Sequence, residues 1–208
     1  MKPGIKILLL MSLSALLVGG CQPRGEVLFE DDFSDPESGW EVFDNQSIQS
    51  QYKEGAYQIK ISPSQKEHWT LAPGSFGDVD VEVNAYHSAG SDDNKYGIIC
   101  KYVDVNRFYA LVISSDGSYM VEKRTKQGYE RLSGMFYQLS PEIDTGSATN
   151  KIRAVCGDGF LELYVNGELI NRVEDDTYSE GQVGLIAGNF TATNLQIDFD
   201  DYTVRQIP

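Results

Sequence analysis

The chain has 208 residues, with 31 acidic against 17 basic side chains and a formal net charge of −14. That length supplies one domain with a two-layer core and is short for two. The acidity repels phosphate backbones and anionic headgroups, which excludes nucleic acid as a partner. Twenty glycines and many Tyr, Phe, Val and Ile favour strands over helices, so the class is all-β.

Met1 to Cys21 reads as a targeting segment. Lys2 and Lys6 form a positive start, Ile7 to Val18 is an apolar run too short to span a bilayer comfortably, and Gly19-Gly20 precede Cys21. Leu17-Val18-Gly19-Gly20-Cys21 resembles a bacterial lipobox, which implies cleavage before Cys21 and acylation of its thiol by palmitate-type chains. The expected organisation is a signal peptide over 1–20, lipidated Cys and tether over 21–25, and one domain over 26–208. Cleavage removes two lysines, leaving 15 basic against 31 acidic residues, a charge of −16. Several acyl chains hold a protein firmly on a membrane, so the expected location is extracytoplasmic and lipid-anchored, on the cell membrane or outer membrane of a bacterium.

Val27 to Phe33 reads as a first strand, ended by the turn-rich Ser34 to Gly39 before Trp40. Ser47 to Lys53 and Ala56 to Ser62 form a hairpin across Glu54-Gly55, with Tyr57, Ile59 and Ile61 on one face, and His68 to Ala72 follows. Phe76 to Arg124 reads as four strands of one antiparallel meander: the Val79, Val81, Val83 alternation, then Tyr96 to Val103, Phe108 to Ser114 and Ser118 to Arg124. Gly128 to Leu139, Lys151 to Cys156, Phe160 to Val165, Glu168 to Glu174, Gln182 to Ala187 and Asn194 to Val204 complete the set. Gly157-Asp158-Gly159 and Asn166-Gly167 are the strongest turn signals. About thirteen short strands at this spacing predict a two-sheet antiparallel β-sandwich. With Cys21 lipidated, Cys100 and Cys156 remain, and two cysteines in an exported chain pair, here across strands distant in sequence.

Leu163-Tyr164-Val165-Asn166-Gly167-Glu168-Leu169, Gly181 to Leu185 and Ile197 to Val204 resemble the closing third of concanavalin A-like jelly rolls, of the laminin-G-like and 3-keto-disaccharide hydrolase type. Gly55-Ala56-Tyr57 and Tyr96-Gly97-Ile98-Ile99 are similar to that group's early strands. The resemblance covers nearly all of the mature chain and concerns turns and strand ends, so it implies architecture and not activity.

Asp78, Asp80 and Glu82 fall at alternate positions, which puts three carboxylates on one strand face, the arrangement that glucanases of this fold use for hydrolysis. The nucleophile position would hold Asp78 in place of Glu, and an ordinary solvated face has the same alternation. Glu142-Ile143-Asp144 is broken by Thr145-Gly146, and the two histidines, His68 and His87, have no triad or metal-ligand spacing. Asp31, Asp32, Asp200 and Asp201 lie on the first and last strands and offer the hard oxygen ligands of a structural Ca²⁺; no cofactor is required. Glu82, Asn84, Tyr86, Lys101, Lys123 and Arg153 are expected to form one mixed polar and aromatic sheet face, with Trp40, Trp69, Tyr109, Tyr119 and Tyr129 as further platforms for a sugar. The leading expectation is a non-catalytic carbohydrate- or protein-binding lipoprotein. A glycoside hydrolase and a structural envelope component are the alternatives.

Overall fold

The computed structural model describes residues 25–207, so the signal segment, Cys21, the tether's first residues and Pro208 lie outside it. Sixteen strands and no helix are formed among these residues. They are β1 Val27–Asp31, β2 Phe43–Asp44, β3 Ile48–Lys53, β4 Ala56–Ile61, β5 Glu67–Leu71, β6 Val79–Ala89, β7 Asn94–Asp104 and β8 Arg107–Ile113. Then come β9 Ser118–Thr125, β10 Gly128–Arg131, β11 Gln138–Leu139, β12 Thr149–Cys156, β13 Phe160–Val165, β14 Glu168–Glu174, β15 Gln182–Asn189 and β16 Leu195–Gln206. A nine-stranded sheet runs β14-β13-β12-β6-β16-β4-β3-β2, with β1 on β16, and a seven-stranded sheet runs β10-β9-β8-β7-β15-β5, with β11 on β9.

Alternation decides which side chains meet between the sheets. Tyr57, Ile59 and Ile61 of β4 and Val79, Val81 and Val83 of β6 face Tyr96, Ile98, Tyr109 and Leu111 of the second sheet in one core. Glu54-Gly55 and Asn166-Gly167 have positive φ at both residues, the primed turn that joins β3 to β4 and β13 to β14. Cys100 on β7 and Cys156 on β12 are bonded, with Cα atoms 6.6 Å apart, and tie the two sheets through the core.

Two expectations require correction. The four strands from Phe76 to Arg124 are not one meander: β7, β8 and β9 are, but β6 sits in the other sheet between β12 and β16. The Gly90–Asp93 stretch carries the chain across in place of a hairpin. Gly90 has φ 111°, and a Cβ there would lie 2.9 Å from the Leu195 Cα, so the crossing is packed directly against β16. Gly128 to Leu139 is likewise two strands, β10 and β11, separated by the loop Leu132–Tyr137.

Candidate functional site

The outer face of the nine-stranded sheet holds part of what the sequence suggested. Asp80, Glu82, Asn84 and Tyr86 alternate outward on β6, and Arg153 of β12 stands opposite Glu82 in register. Asp80 is 4% exposed and receives two hydrogen bonds from Arg153, 2.7 and 2.8 Å long. The Arg153 guanidinium also lies over Tyr164, and Lys151 reaches Glu82 at 3.4 Å. This ladder continues through Glu162 to Arg172. Asp78 departs from the expected row. It precedes β6, and its carboxylate accepts from Lys101 Nζ of the other sheet, so the three acids do not share a face.

Lys101 and Lys123 do not join that face either. A register shift after Cys100 leaves Lys101 at φ 50°, and its buried ammonium turns inward to the Gly157 carbonyl and Asp78. Lys123 lies on β9 in alternation with Tyr119 and Val121, on the inward side, and its ammonium bonds Asp175 at 2.7 Å and Thr177 at 3.0 Å. Burial pushes the Asp175 carboxyl up, but hydrogen bonds from Lys123, Tyr109 and Thr177 outweigh it and hold the group at about 2. Trp40, Tyr109 and Tyr119 are core residues, so of the five proposed platforms only Trp69 and Tyr129 lie outside the main core. Neither histidine is free: His68 is half-buried, packs on Phe43 and meets Ser50, burial lowering its pKa, and His87 is buried between the sheets.

The outer face of the seven-stranded sheet carries Trp69 and Tyr129, two of the expected platforms. Ile99, Phe108, Ala110, Val112, Met120 and Ile186 face outward there, yet all are fully buried. What covers them is the sheet itself. β10 and β5 are opposite edges, five strand intervals apart, or roughly 24 Å if the sheet were flat at its usual spacing. Yet Tyr129 on β10 donates its hydroxyl to Glu67 on β5 at 3.0 Å. Two such side chains together span roughly 10 Å by their bond lengths, so the sheet must curl into a trough. Trp69 of β5 packs on Phe108 of β8 at 5.4 Å, as that curvature requires.

At the rim of the trough stands a charged cluster. Lys95 of β7 is 6% exposed, and its ammonium lies 2.8 Å from both Glu67 and Glu122 and 4.2 Å from the centre of the Tyr129 ring. Burial opposes the Lys95 charge, but the two carboxylates prevail and its pKa rises. Tyr129 is raised as well, by burial and then by the charges of Glu67 and Glu122. Arg124 lies over the same ring from β9. Beside the cluster open two adjoining pockets of about 450 and 520 Å³, which share Lys95, Tyr129 and Phe190. One is completed by Gln65, Glu67 and Asn189, the other by Glu122, Arg131 and Tyr137. The loop bounding the second exposes Met135 and Phe136, 74% and 68% accessible. An aromatic wall, a fixed cation and two carboxylates around open volume are equipment for holding a small polyhydroxylated ligand.

β1 and β16 pair as expected, which brings the four aspartates near one another. Asp31 is buried, and its oxygens accept from the Phe33 N–H, Ser38 and the Trp40 indole. Asp32 accepts from Ser34, and Asp201 from Asn84. Asp200 is raised chiefly by burial, with Asp201 and Asp32 adding repulsion. Among the described residues no three His, Cys, Asp or Glu side chains are assembled as a metal cluster.

No family model and no curated protein matches the sequence. Solved structures do. A carbohydrate-binding module, CBM66, from Bacillus subtilis aligns over 81% of this chain and 96% of its own, with a TM-score of 0.64 and 15% identity. A Bacillus subtilis protein of unknown function with a galectin-like fold gives 0.65 at 13% identity, over 88% and 97%. A Bacillus licheniformis β-glucanase gives 0.61 at 10% identity, over 86% and 98%. This chain has the concanavalin A-like jelly-roll fold. Identity this low carries the fold and nothing of the chemistry.

Proposed function

We propose that this protein is a non-catalytic carbohydrate-binding lipoprotein, anchored by lipid at Cys21 and displaying its jelly roll outside the cytoplasm. The observation that carries the reading is the Lys95, Glu67, Glu122 and Tyr129 cluster beside open volume on the curved sheet. The similar folds include a carbohydrate-binding module, which supports the same ligand class. Orientation supports it too. Val79 opens β6 opposite Gln206, whose N–H bonds Glu26 beside the tether, whereas Ala89 closes β6 at the end where Asn94 and Asn189 pair. The strand between spans roughly 33 Å. The pockets, lined by Asn189 and its neighbours, therefore lie at the end of the sandwich away from Gly25, where the described chain begins.

The test is a glycan array with the full chain in detergent, run with Ca²⁺ and then with EGTA. Specific binding that Lys95→Met weakens at least tenfold supports the proposal; an array without specific binding removes it. Loss of binding or of thermal stability in EGTA would establish a bound Ca²⁺, for which Asp31, Asp32, Asp200 and Asp201 are the candidate ligands. The anchor has its own test: metabolic labelling with palmitate that fails to mark the protein, or marks Cys21→Ser equally, removes it.

One observation favours a second reading, a glycoside hydrolase. The Glu67 and Glu122 oxygens each lie 2.8 Å from one ammonium, hence no more than 5.6 Å from one another, an upper bound that admits the separation of about 5–5.5 Å used in retaining hydrolysis. Lys95 stands between them, where a glycosidic oxygen would have to lie. Turnover of keto- or ordinary disaccharides that Glu122→Gln abolishes would establish the hydrolase and displace the binding reading.

A further inference from the structure

We propose that the second pocket selects acidic sugars, with the Arg131 guanidinium pairing to the carboxylate of a uronic acid unit. This rests on the sugar-binding reading and specifies its ligand class.

The charged groups around the two pockets divide into committed and uncommitted. Lys95, Glu67 and Glu122 are committed to one another, and their side chains are 7%, 23% and 6% exposed. Arg131 is exposed and lines the second pocket. It stands on β10 opposite Glu122 of β9, yet it forms no ion pair among the described residues. One of its five N–H groups goes to the Met135 carbonyl at 2.6 Å, which leaves the others for a ligand.

With 31 acidic against 17 basic side chains, acids are at hand for most cations. Of the six arginines among the described residues, Arg107, Arg153 and Arg172 have one, and Arg124, Arg131 and Arg205 do not. Two of these three meet at the same wall. Arg124 lies 4.7 Å over the Tyr129 ring, and Arg131 follows Tyr129 by two positions, on the same side of β10. Four cations, Lys66, Lys95, Arg124 and Arg131, thus line the pockets or flank their shared ring, against the two anions Glu67 and Glu122. This corner is positive in an acidic molecule. The Tyr137 hydroxyl adds a donor to the second pocket: it has no hydrogen-bond partner among the described residues, and burial raises its pKa, so it keeps its proton.

A guanidinium forks onto a carboxylate through two parallel N–H···O bonds, which no hydroxyl of a neutral sugar reproduces. Because the pocket is open, the carboxylate keeps part of its water, and the desolvation that weakens buried ion pairs is small. The bidentate geometry is what lifts such a pair above an ordinary exposed one.

The experiment titrates the full chain in detergent by calorimetry with galacturonate, mannuronate, guluronate and glucuronate oligosaccharides, each against its neutral methyl ester, beside neutral gluco-, xylo- and fructo-oligosaccharides. In the uronate series that binds, the acid should bind about tenfold or more tighter than its ester. Raising NaCl from about 0.05 to about 0.5 M should weaken the acid and leave the ester within about twofold. Arg131→Gln, a change at an exposed residue, should bring acid and ester within about twofold of each other. An acid bound no tighter than its ester, or binding confined to the neutral series, would overturn the acidic-sugar inference and leave the sugar-binding reading standing. Absence of binding in every series would overturn both. If Arg131→Gln weakens acid and ester equally, or neither, Arg131 does not take the charge and the inference falls.

Discussion

Replacing Lys95 by Met removes one ammonium and leaves two carboxylates facing each other. Both accept from it at 2.8 Å, so their nearest oxygens are no more than 5.6 Å apart. At an effective dielectric constant of about 20, two unit charges at that separation repel by about 3 kcal/mol. Glu122 is 4% exposed and has little access to solvent in compensation. The same magnitude follows from the general cost of breaking a buried ion pair, about 3–5 kcal/mol. In a domain of this size each kcal/mol moves the melting temperature by roughly 2–4 °C, so Lys95→Met should melt roughly 6–12 °C below the parent at pH 7. Urea unfolding at pH 7 measures this directly, and the triple variant Glu67→Gln, Lys95→Met, Glu122→Gln should recover most of the loss. A loss under about 1 kcal/mol, or no recovery in the triple variant, would refute this role of Lys95.

The disulfide closes a 56-residue separation, and chain entropy puts its contribution at about 4 kcal/mol; urea curves with and without reductant should differ by that order, and a difference below about 1 kcal/mol would exclude it. Arg153→Ala strands the buried Asp80 carboxylate and should cost about 2 kcal/mol in chemical denaturation, discounted because Arg153 is partly exposed, while leaving glycan binding unchanged; lost binding would move the site to the nine-stranded sheet. Asp175 is held at about 2, below the ordinary carboxyl value of 3.8, so its contribution is fully present above 3.8 and disappears as pH falls through the folded pKa. After allowance for solvent screening it amounts to about 1 kcal/mol, and Asp175→Asn should flatten the stability profile between pH 5 and pH 2 by that amount. An unchanged profile would show that Asp175 is not the group responsible.

The strands were legible because local rules determine them. Val79, Val81 and Val83 declare an inward face by alternation, and Glu54-Gly55 and Asn166-Gly167 declare their turns by needing positive φ. Sheet membership was not, because nothing in Gly90 to Asp93 distinguishes a crossing between sheets from a hairpin within one. What decides it is packing against Leu195, more than a hundred positions away. Lys101 turns inward against its expected face for a related reason: alternation predicts orientation only in an unbroken ladder, and the register shift after Cys100 breaks it.

The site itself left no local motif, since Glu67, Lys95, Glu122 and Tyr129 come from four strands and meet only because the sheet curls. A signal was nevertheless present in the strands beneath it. β8 reads Arg-Phe-Tyr-Ala-Leu-Val-Ile, apolar at consecutive positions, and β7 has Ile98-Ile99 together. A strand with one solvated face alternates; one without alternation is covered on both. Tyr109, Leu111 and Ile113 fill the core between the sheets, so Phe108, Ala110 and Val112 require a cover of their own. In an antiparallel sheet without helices that cover has to come from curvature and rim side chains. A polar residue set into such a strand, as Lys95 and Glu122 are, must then find its partners across the trough. The apolar outer face and the buried ion cluster are thus two consequences of one curvature, and a strand apolar on both faces that carries an isolated charge is where a site of this kind is to be sought.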